Sequence, residues 1–573
     1  MPTLSVPFPT TEYTTRGLPL PAFPSSWNNM VKAIVRQARK HPNKVFAYDN
    51  FDGTILTFKN LVERSVGASR IIGRLVGEGH NIGVLLPPSS AGAIANLAVA
   101  MSGNVIVDLN ILSEQLANSV VGDAKAEYVI TSRAFLQKVK NLNVNAKYLY
   151  LEDFPDLVTM HDRLRARNVS TFCPLTGMSE ILPGAKKKMR DTAALMYTSG
   201  STGTPKGAEL SHKGILANIW QIKHHMGLKD DAVLLSALPF FHSFGFTVTL
   251  FAVMVLGLSC VFQANPREGE VIGNELIPEH KITMVLGTPT LVRLFWLKYM
   301  NKENTKTIDL MMLGSEPLKP ELERDIFEKT GIVARQGYGT TEFSPGVTAN
   351  VPGKVTLEDG RVVEGTKSGS VGLPFPDTYI AIVDEETGEV LTAGHRKADG
   401  SFRSGLIFVK GPQCMKGYYN RPEETAAVLK NGWYYTADIG YVDEDGFLFI
   451  TGRAGRRIKI GAEMVPLLFI EAAIAKATGL SETDFVTEGV PDDTKGERLV
   501  LLYTTLGKND DGSDRTPQDL LKLLKAQGLA TLWTPNARDC HKIDTMPINP
   551  TGKLDLKAVK QLALEKSGAK VKA

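Results

Sequence analysis

The sequence predicts an α/β protein with a large N-terminal region of two doubly wound α/β lobes plus a β-barrel-like unit, and a small α+β C-terminal domain. Three observations predict it. Short apolar strands alternate with helices in two separate blocks, from residue 45 to about 131 and again from 191, the pattern of parallel sheets covered by helices. Between residues 369 and 453 the helical periodicity fades, and strands bounded by Gly and Asp take over. After AGRRIKIG the mixed pattern returns for about the last fifth of the chain. At 573 residues the chain is too long for one hydrophobic core.

In order along the chain, residues 1–26 form an irregular leader rich in Pro and Thr, ordered only if it docks on something. It lacks the basic and apolar segments of a signal peptide. FAYDN and TILTF read as strands, residues 59–79 as a helix, and NIGVLLPP as a buried strand. A helix over 89–103 follows, then the strands NVIVDLN and AEYVITS. The second block supplies ALMYTSG, a helix from His212, and the strands AVLLSALP, CVFQAN, ITMVLGTPT, DLMMLGSEP and VARQGYGTTE. In the β-rich unit, EETGE and DEDG carry hairpin-turn chemistry. Helices are expected near 467–478, 517–527 and 556–566. The units are therefore 1–26, 27–454 with the β-rich part at about 369–453, and 455–573.

Composition narrows the class. Hydrophobic residues make up 43% and charged residues 22%, ordinary for a globular protein. The net charge of +4 excludes neither an acidic partner nor a neutral one, and no nucleic-acid partner is expected. Four cysteines lie far apart without a CxxC pair, which reads as buried or incidental thiols in a reducing compartment and a cytoplasmic location. The uncharged run FGFTVTLFAVMVLGLSCVF (residues 244–262) nearly reaches bilayer length. Its internal Gly245, Gly257 and Ser259, and the lack of flanking Lys/Arg clusters, favour a buried helix followed by a core strand.

The stretch YTSGSTGTPKG, residues 197–207, is a strand feeding a loop of small residues, with a helix beginning near Ser211. It is not a Walker A sequence, because Lys206 precedes Gly207. Small residues let backbone N–H groups approach phosphate oxygens. Ser199, Ser201, Thr202 and Thr204 add hydroxyl donors, and Lys206 adds positive charge.

That loop is followed, in order, by YGTTE (338–342), YYTADIGY (434–441), GRAGRRIK (452–459) and NPTGK (549–553). Together they resemble the adenylate-forming superfamily of acyl-CoA synthetases, luciferases and peptide-synthetase adenylation domains, over nearly the whole chain after about residue 26. SALPFFHSFGFTVTLF, SHKGILANIWQIK, VITSRAFL and KIGAEMV are similar to the synthetase portion of bacterial acyl-acyl-carrier-protein synthetase/2-acylglycerophosphoethanolamine acyltransferases. No HxxxxD acyltransferase signature precedes them, so a stand-alone synthetase is expected.

The resemblance implies a two-step reaction. A carboxylate attacks the α-phosphate of ATP to give acyl-AMP and pyrophosphate, and a phosphopantetheine thiol then takes the acyl group. It implies that Thr198, Ser199, Gly200, Ser201, Thr202, Gly203, Thr204 and Lys206 cradle the phosphates, and that Glu342 holds Mg²⁺. Thr341 meets the α-phosphate, beside Gly339 and Thr340. Tyr338 stacks on adenine, with Gly314, Ser315 and Glu316 walling the base. Asp438 accepts the ribose hydroxyls, and Arg453 reaches the ribose or phosphates. Lys553 bridges the acyl carboxylate and the α-phosphate. Lys459 faces the site in the thioester-forming orientation, which makes the C-terminal domain mobile. His242 and Phe244 border the acyl pocket, although a structural core His is the competing reading for His242.

The chain departs from the superfamily pattern at three places, one of them KIGAEMVP, which lacks the more common Lys-x-x-Gly spacing. Ala437 stands where Gly is usual before the ribose Asp, and Gly455 stands at the hinge position. The leading expectation is a fatty acid:acyl-carrier-protein ligase. The alternatives are a long-chain acyl-CoA ligase and a non-catalytic acyl- or nucleotide-binding relative, the last disfavoured by retention of Lys553. Arg456, Arg457 and Lys459 form a basic cluster near the expected thiol entrance, suited to acidic carrier protein and to CoA alike. A greasy pocket around Phe240, Phe241, Phe244 and Phe246 and a fatty acid substrate leave room for peripheral membrane contact.

Overall fold

A computed structural model of the chain describes residues 6–24, 27–139, 142–174, 177–198, 205–454, 456–460, 463–481, 483–492, 496–527, 529, 533–548 and 554–569. The first sheet has the order Lys147–Tyr150, Tyr128–Thr131, Asn81–Val84, Val105–Asp108, Thr192–Thr198, Lys206–Ser211. Its first five strands are parallel. The last two form an antiparallel hairpin in which Thr198 lies opposite Lys206. The helices Phe58–Leu75 and Ser90–Met101 pack nearby, each started by a side-chain cap from Thr57 or Ser89.

The second sheet has nine strands, in the order Leu373–Pro374, Gly346–Ala349, Ala334–Gly339, Leu310–Leu313, Met284–Gly287, Val233–Ser236, Ser259–Phe262, Val45–Asp49, Ile55–Thr57. The last two were expected, from their place in the chain, to belong to the first block. Val45–Asp49 instead runs parallel to Ser259–Phe262, with Ala47 opposite Cys260. The physical reason is an edge. Ser259–Phe262 is buried at every position and would otherwise end the sheet as an unpaired apolar strand.

The uncharged run lies inside the protein. Gly245–Phe251 winds as a π-helix and continues as Ala252–Leu256, buried at every position. Gly257 at φ 73° ends it. No helix among the described residues is long and apolar enough to cross a membrane.

The β-rich region forms an antiparallel sheet ordered Thr15–Arg16, Tyr379–Val383, Gly405–Lys410, Trp433–Val442, Leu429–Lys430, with Leu448–Arg453 also paired to Trp433–Val442. Residues 6–24 of the leader are ordered because they dock: Thr15 lies opposite Ile380. The indole N–H groups of Trp433 and Trp220 donate to the carbonyls of Thr10 and Pro21 at 3.3 and 2.8 Å.

The C-terminal region has its own sheet, ordered Glu463–Pro466, Arg457–Ile460, Gly496–Tyr503, Phe485–Asp492, with Cys540–Lys542 beside Gly496–Tyr503. The helices Leu467–Thr478 and Leu556–Ser567 pack on it, and Pro517–Ala526 packs against Leu467–Thr478. Its buried side chains form clusters of their own, one around Ile458, Ile470 and Leu501 and another around Val486, Leu502 and Val559.

Candidate active site

The site is assembled where strands of the second sheet end. Leu310–Leu313 runs into Gly314, Ser315 and Glu316, and its neighbour Ala334–Gly339 runs into Thr340, Thr341 and Glu342. The carboxyl edge of a parallel sheet is where such folds bind ligands. Ser315 is left-handed at φ 69°. The Gly314 N–H donates to the Gly287 carbonyl at 3.1 Å. The Glu316 carboxylate turns toward Thr290, accepting from its hydroxyl at 2.6 Å and its backbone N–H at 3.1 Å. A Cβ on Gly339 would sit 2.2 Å from the Pro345 carbonyl, so only glycine lets that turn close. The Thr340 hydroxyl is buried without a hydrogen-bond partner, an orphaned donor in a place where phosphate oxygens are expected.

Asp438 comes from the antiparallel sheet, directly opposite Arg453 in the register. It is buried and held at both oxygens. The Tyr338 hydroxyl donates to Oδ2 at 2.5 Å, and Arg453 Nε donates to Oδ1 at 2.5 Å. Burial, and then the Asp438 charge, push the Tyr338 phenol well above its ordinary pKa, so it stays a donor. A carboxylate has about four acceptor positions, which leaves Asp438 capacity for sugar hydroxyls. Ala437 is left-handed at φ 61°, and its carbonyl accepts from Ala454 N–H at 2.8 Å.

Glu342 is also buried. Its Oε1 accepts from the Tyr418 hydroxyl at 2.6 Å. Lys206 is buried too, with Nζ 5.5 Å from the Tyr418 ring centroid, a cation–π distance. One ring therefore touches both the carboxylate and the lysine that the motifs pair with the phosphates. Tyr418 reaches this place because residues 416–419 run beside the strand Lys206–Ser211, with Tyr419 N–H bonded to the Gly207 carbonyl at 2.8 Å. Sequence reasoning missed it. A tyrosine in KGYYN has no signal of its own, since its partner lies 76 positions earlier.

The acyl-side residues lie against the same strands. His242 Nδ1 accepts from Phe244 N–H at 3.2 Å, and the Ser243 and Thr341 hydroxyls are 3.3 Å apart. The Phe244 ring would be 3.6 Å from a Cβ placed on Gly314. His242 and Phe244 are both half-buried. Ser199, Gly200, Ser201, Thr202, Gly203, Thr204, Gly455 and Lys553 lie outside the described residues, as does the side chain of Lys459. Arg456 departs from the expected basic cluster. It is buried, with Nη2 2.5 Å from Glu471 Oε1 and Nη1 3.0 Å from the Thr487 carbonyl. A guanidinium folded inward onto a buried carboxylate is not offered to an acidic partner.

The donor set suits Mg²⁺, which binds through one or two carboxylates together with phosphates and water rather than in an all-protein cage. Glu342 is one such carboxylate, and no group of three or more His, Cys, Asp or Glu that could hold a metal is found among the described residues.

Comparison with known proteins gives consistent results. The family profile described as AMP-binding enzyme matches residues 34–419. A long-chain-fatty-acid–CoA ligase of Bacillus subtilis is 30% identical over 565 residues, covering 94% of each chain. 4-Coumarate–CoA ligase 4 of Arabidopsis thaliana is 32% identical over 467 residues, covering 77% of each. Among solved structures, ATP-bound MatB from Rhodopseudomonas palustris aligns with a TM-score of 0.72 at 24% identity, covering 94% of this chain and 100% of that one. MenE from Bacillus subtilis, in complex with the acyl-adenylate intermediate OSB-AMP, aligns at 0.72 with 23% identity, covering 92% and 97%. At these identities the structural matches speak for the fold.

Proposed function

The chain belongs to the AMP-binding enzyme family, and we propose that it activates a long-chain fatty acid as acyl-AMP and passes the acyl group to the thiol of CoA. The chemistry is that of an acid–thiol ligase, as in the named relatives. The observation that carries the reading is the convergence of Asp438, clasped by Tyr338 and Arg453, with Glu342 and Lys206 meeting at Tyr418. A sugar acceptor, bonded to Tyr338 near the end of the strand Ala334–Gly339, and a carboxylate just beyond that strand, beside a lysine, are thereby brought together.

In this reading Asp438 accepts the ribose hydroxyls while Tyr338 and Arg453 hold its orientation, and the Tyr338 ring faces the adenine beside Gly314, Ser315 and Glu316. Lys206 and the 198–204 loop bind the β- and γ-phosphates. Thr340 and Thr341 donate toward the α-phosphate. Glu342 would hold Mg²⁺, which would supply charge neutralisation on the phosphates. The fatty acid carboxylate enters past His242 and Phe244, and one of its oxygens attacks the α-phosphorus as pyrophosphate departs. Lys553 neutralises the two anions as they meet. The tail from residue 455 then turns Lys553 away and brings Lys459 in. The CoA thiolate attacks the acyl carbon, and AMP leaves with the C–O electron pair.

The long-chain substrate and the CoA acceptor are supported by the Bacillus subtilis relative, aligned over nearly its full length. The carrier-protein acceptor favoured by the sequence has less support, because the named relatives are CoA ligases. The test is to offer purified enzyme ATP, radiolabelled palmitate and either CoA or acyl carrier protein. Palmitoyl-CoA as the dominant product is expected. Label appearing only on the carrier protein would overturn the acceptor, and no palmitate-dependent pyrophosphate release would overturn the substrate.

A further inference from the structure

The helix Met160–Thr171 is built inside out. Its buried positions are Asp162, Ala166, Val169 and Ser170. They are fixed by polar contacts: Asp162 to Arg74 at 2.9 Å and Arg70 at 3.6 Å, Ser170 to Glu63 at 2.8 Å, and the Val169 carbonyl to Arg39 at 2.6 and 2.9 Å. The large apolar side chains point to solvent. Phe172 is 83% exposed and Met160 72%, the two most exposed large apolar residues described, and Leu164 is 60% exposed and Leu157 42%. Large apolar residues exposed elsewhere in the chain are mostly scattered singly, which is ordinary for a surface.

At about 100° per residue, Leu164 falls opposite the centre of the buried face, with Met160 and Thr171 beside it on one side and the exposed Asn168 on the other. Arg163 and Arg167 flank this stripe on one side, and His161 and Arg165 on the other. No exposed residue of the helix is acidic. Three acids just before it are exposed: Glu152, which accepts from Ser132, Asp153, which is paired with Arg133, and Asp156. Exposed Met160, Leu164 and Phe172, set among Arg163, Arg165 and Arg167 with the polar Asn168 and Thr171 between them, give a surface whose cations can meet anionic lipid headgroups.

We infer that the outer face of Met160–Thr171, with Leu157 and Phe172, docks on the surface of an anionic lipid bilayer. The charge pattern selects this occupant, since an acid-free, arginine-edged apolar stripe matches phosphate headgroups above acyl chains. The inference takes its biological sense from the proposed fatty-acid substrate, which partitions into bilayers, but the surface itself is read from this helix alone.

The test uses the full chain and vesicles of phosphatidylcholine with or without about one-third phosphatidylglycerol. The wild type is expected to sediment with the anionic vesicles and less so at high salt. Leu164→Ser/Phe172→Ser should weaken binding at least tenfold. Arg163→Gln/Arg167→Gln should weaken it at least fivefold on anionic vesicles, from about fivefold for each cation at the surface. Both variants should keep the wild-type thermal midpoint and the wild-type rate with a short, water-soluble fatty acid. Wild type that ignores anionic vesicles, or variants that bind as wild type does, would overturn the proposal. So would a dimer in sedimentation equilibrium that the Leu164→Ser/Phe172→Ser change dissolves. Vesicle binding that behaves as expected in an enzyme that rejects every fatty acid would leave the lipid surface standing and remove the substrate reading.

Discussion

Asp108 offers a direct measurement of what a buried, half-satisfied carboxyl does to this fold. It ends the strand Val105–Asp108 and is buried. Asn96 Nδ2 donates to its Oδ1 at 3.2 Å, while its Oδ2 and the Asn96 Oδ1 are buried without partners. Burial pushes its pKa from the usual 3.8 up to about 7. In the unfolded chain the group ionises near 4, so between about pH 4 and pH 7 the folded state retains a proton that the unfolded state has released. Stability therefore falls as pH rises through that window, by about 1.4 kcal/mol per unit, and levels off above it. From pH 5 to pH 8 the loss is about 3 kcal/mol. Asp108→Asn has no proton to lose, and its amide can donate to the orphaned Asn96 oxygen. The variant should gain little at pH 4 and most at pH 8. Thermal midpoints at pH 5 and pH 8 should show the gap between variant and wild type widening by about 6–12 °C, if the lobe unfolds as a unit of 150–250 residues. A gap that is the same at both pH values would refute the reasoning.

Three further outcomes follow from the site. Tyr418→Phe removes a buried hydrogen bond to a charged oxygen, worth about 1.5–3 kcal/mol, and should slow acid-dependent pyrophosphate exchange about tenfold to a hundredfold at limiting Mg²⁺; an unchanged Mg²⁺ half-saturation would sink the link to Glu342. Ala437→Gly relieves a left-handed alanine that costs about 1 kcal/mol, so the thermal midpoint should rise slightly without a higher KM for ATP, and a drop in midpoint would show that the methyl group is needed for packing. Lys553→Ala should slow adenylation about 10²–10³-fold while thioester formation from supplied acyl-AMP persists, a pattern read by comparing the two half-reactions separately.

How much of this was legible in the sequence depended on whether the governing interaction was local. Strands such as Met284–Gly287 and Leu310–Leu313 announce themselves because burial on both faces demands unbroken apolar runs. Asp438 and Glu342 were legible as residue types in short motifs. The departure at Ala437 was visible too, but its left-handed backbone was not, because φ is set by the closing contact from Ala454. The edge hairpin Val45–Asp49 and Ile55–Thr57 was assigned to the wrong block because nothing in its own residues encodes a partner more than 200 positions away. Tyr418 and Arg456 failed for the same reason in opposite directions. Tyr418 is ordinary in sequence, yet it joins Lys206 to Glu342. Arg456 sits in a conspicuous cationic cluster, yet a single buried carboxylate, Glu471, draws it out of that cluster. A buried ion pair of that kind is strongly destabilising to break, about 3–5 kcal/mol when one partner is removed. Arg456 is therefore bound into the C-terminal core immediately after the proposed hinge. Any rotation about residue 455 must carry Arg456 with the C-terminal sheet, while Arg453, tied to Asp438, stays with the nucleotide site. The proposed turning point then falls after Ala454, whose N–H is tied to the Ala437 carbonyl at 2.8 Å.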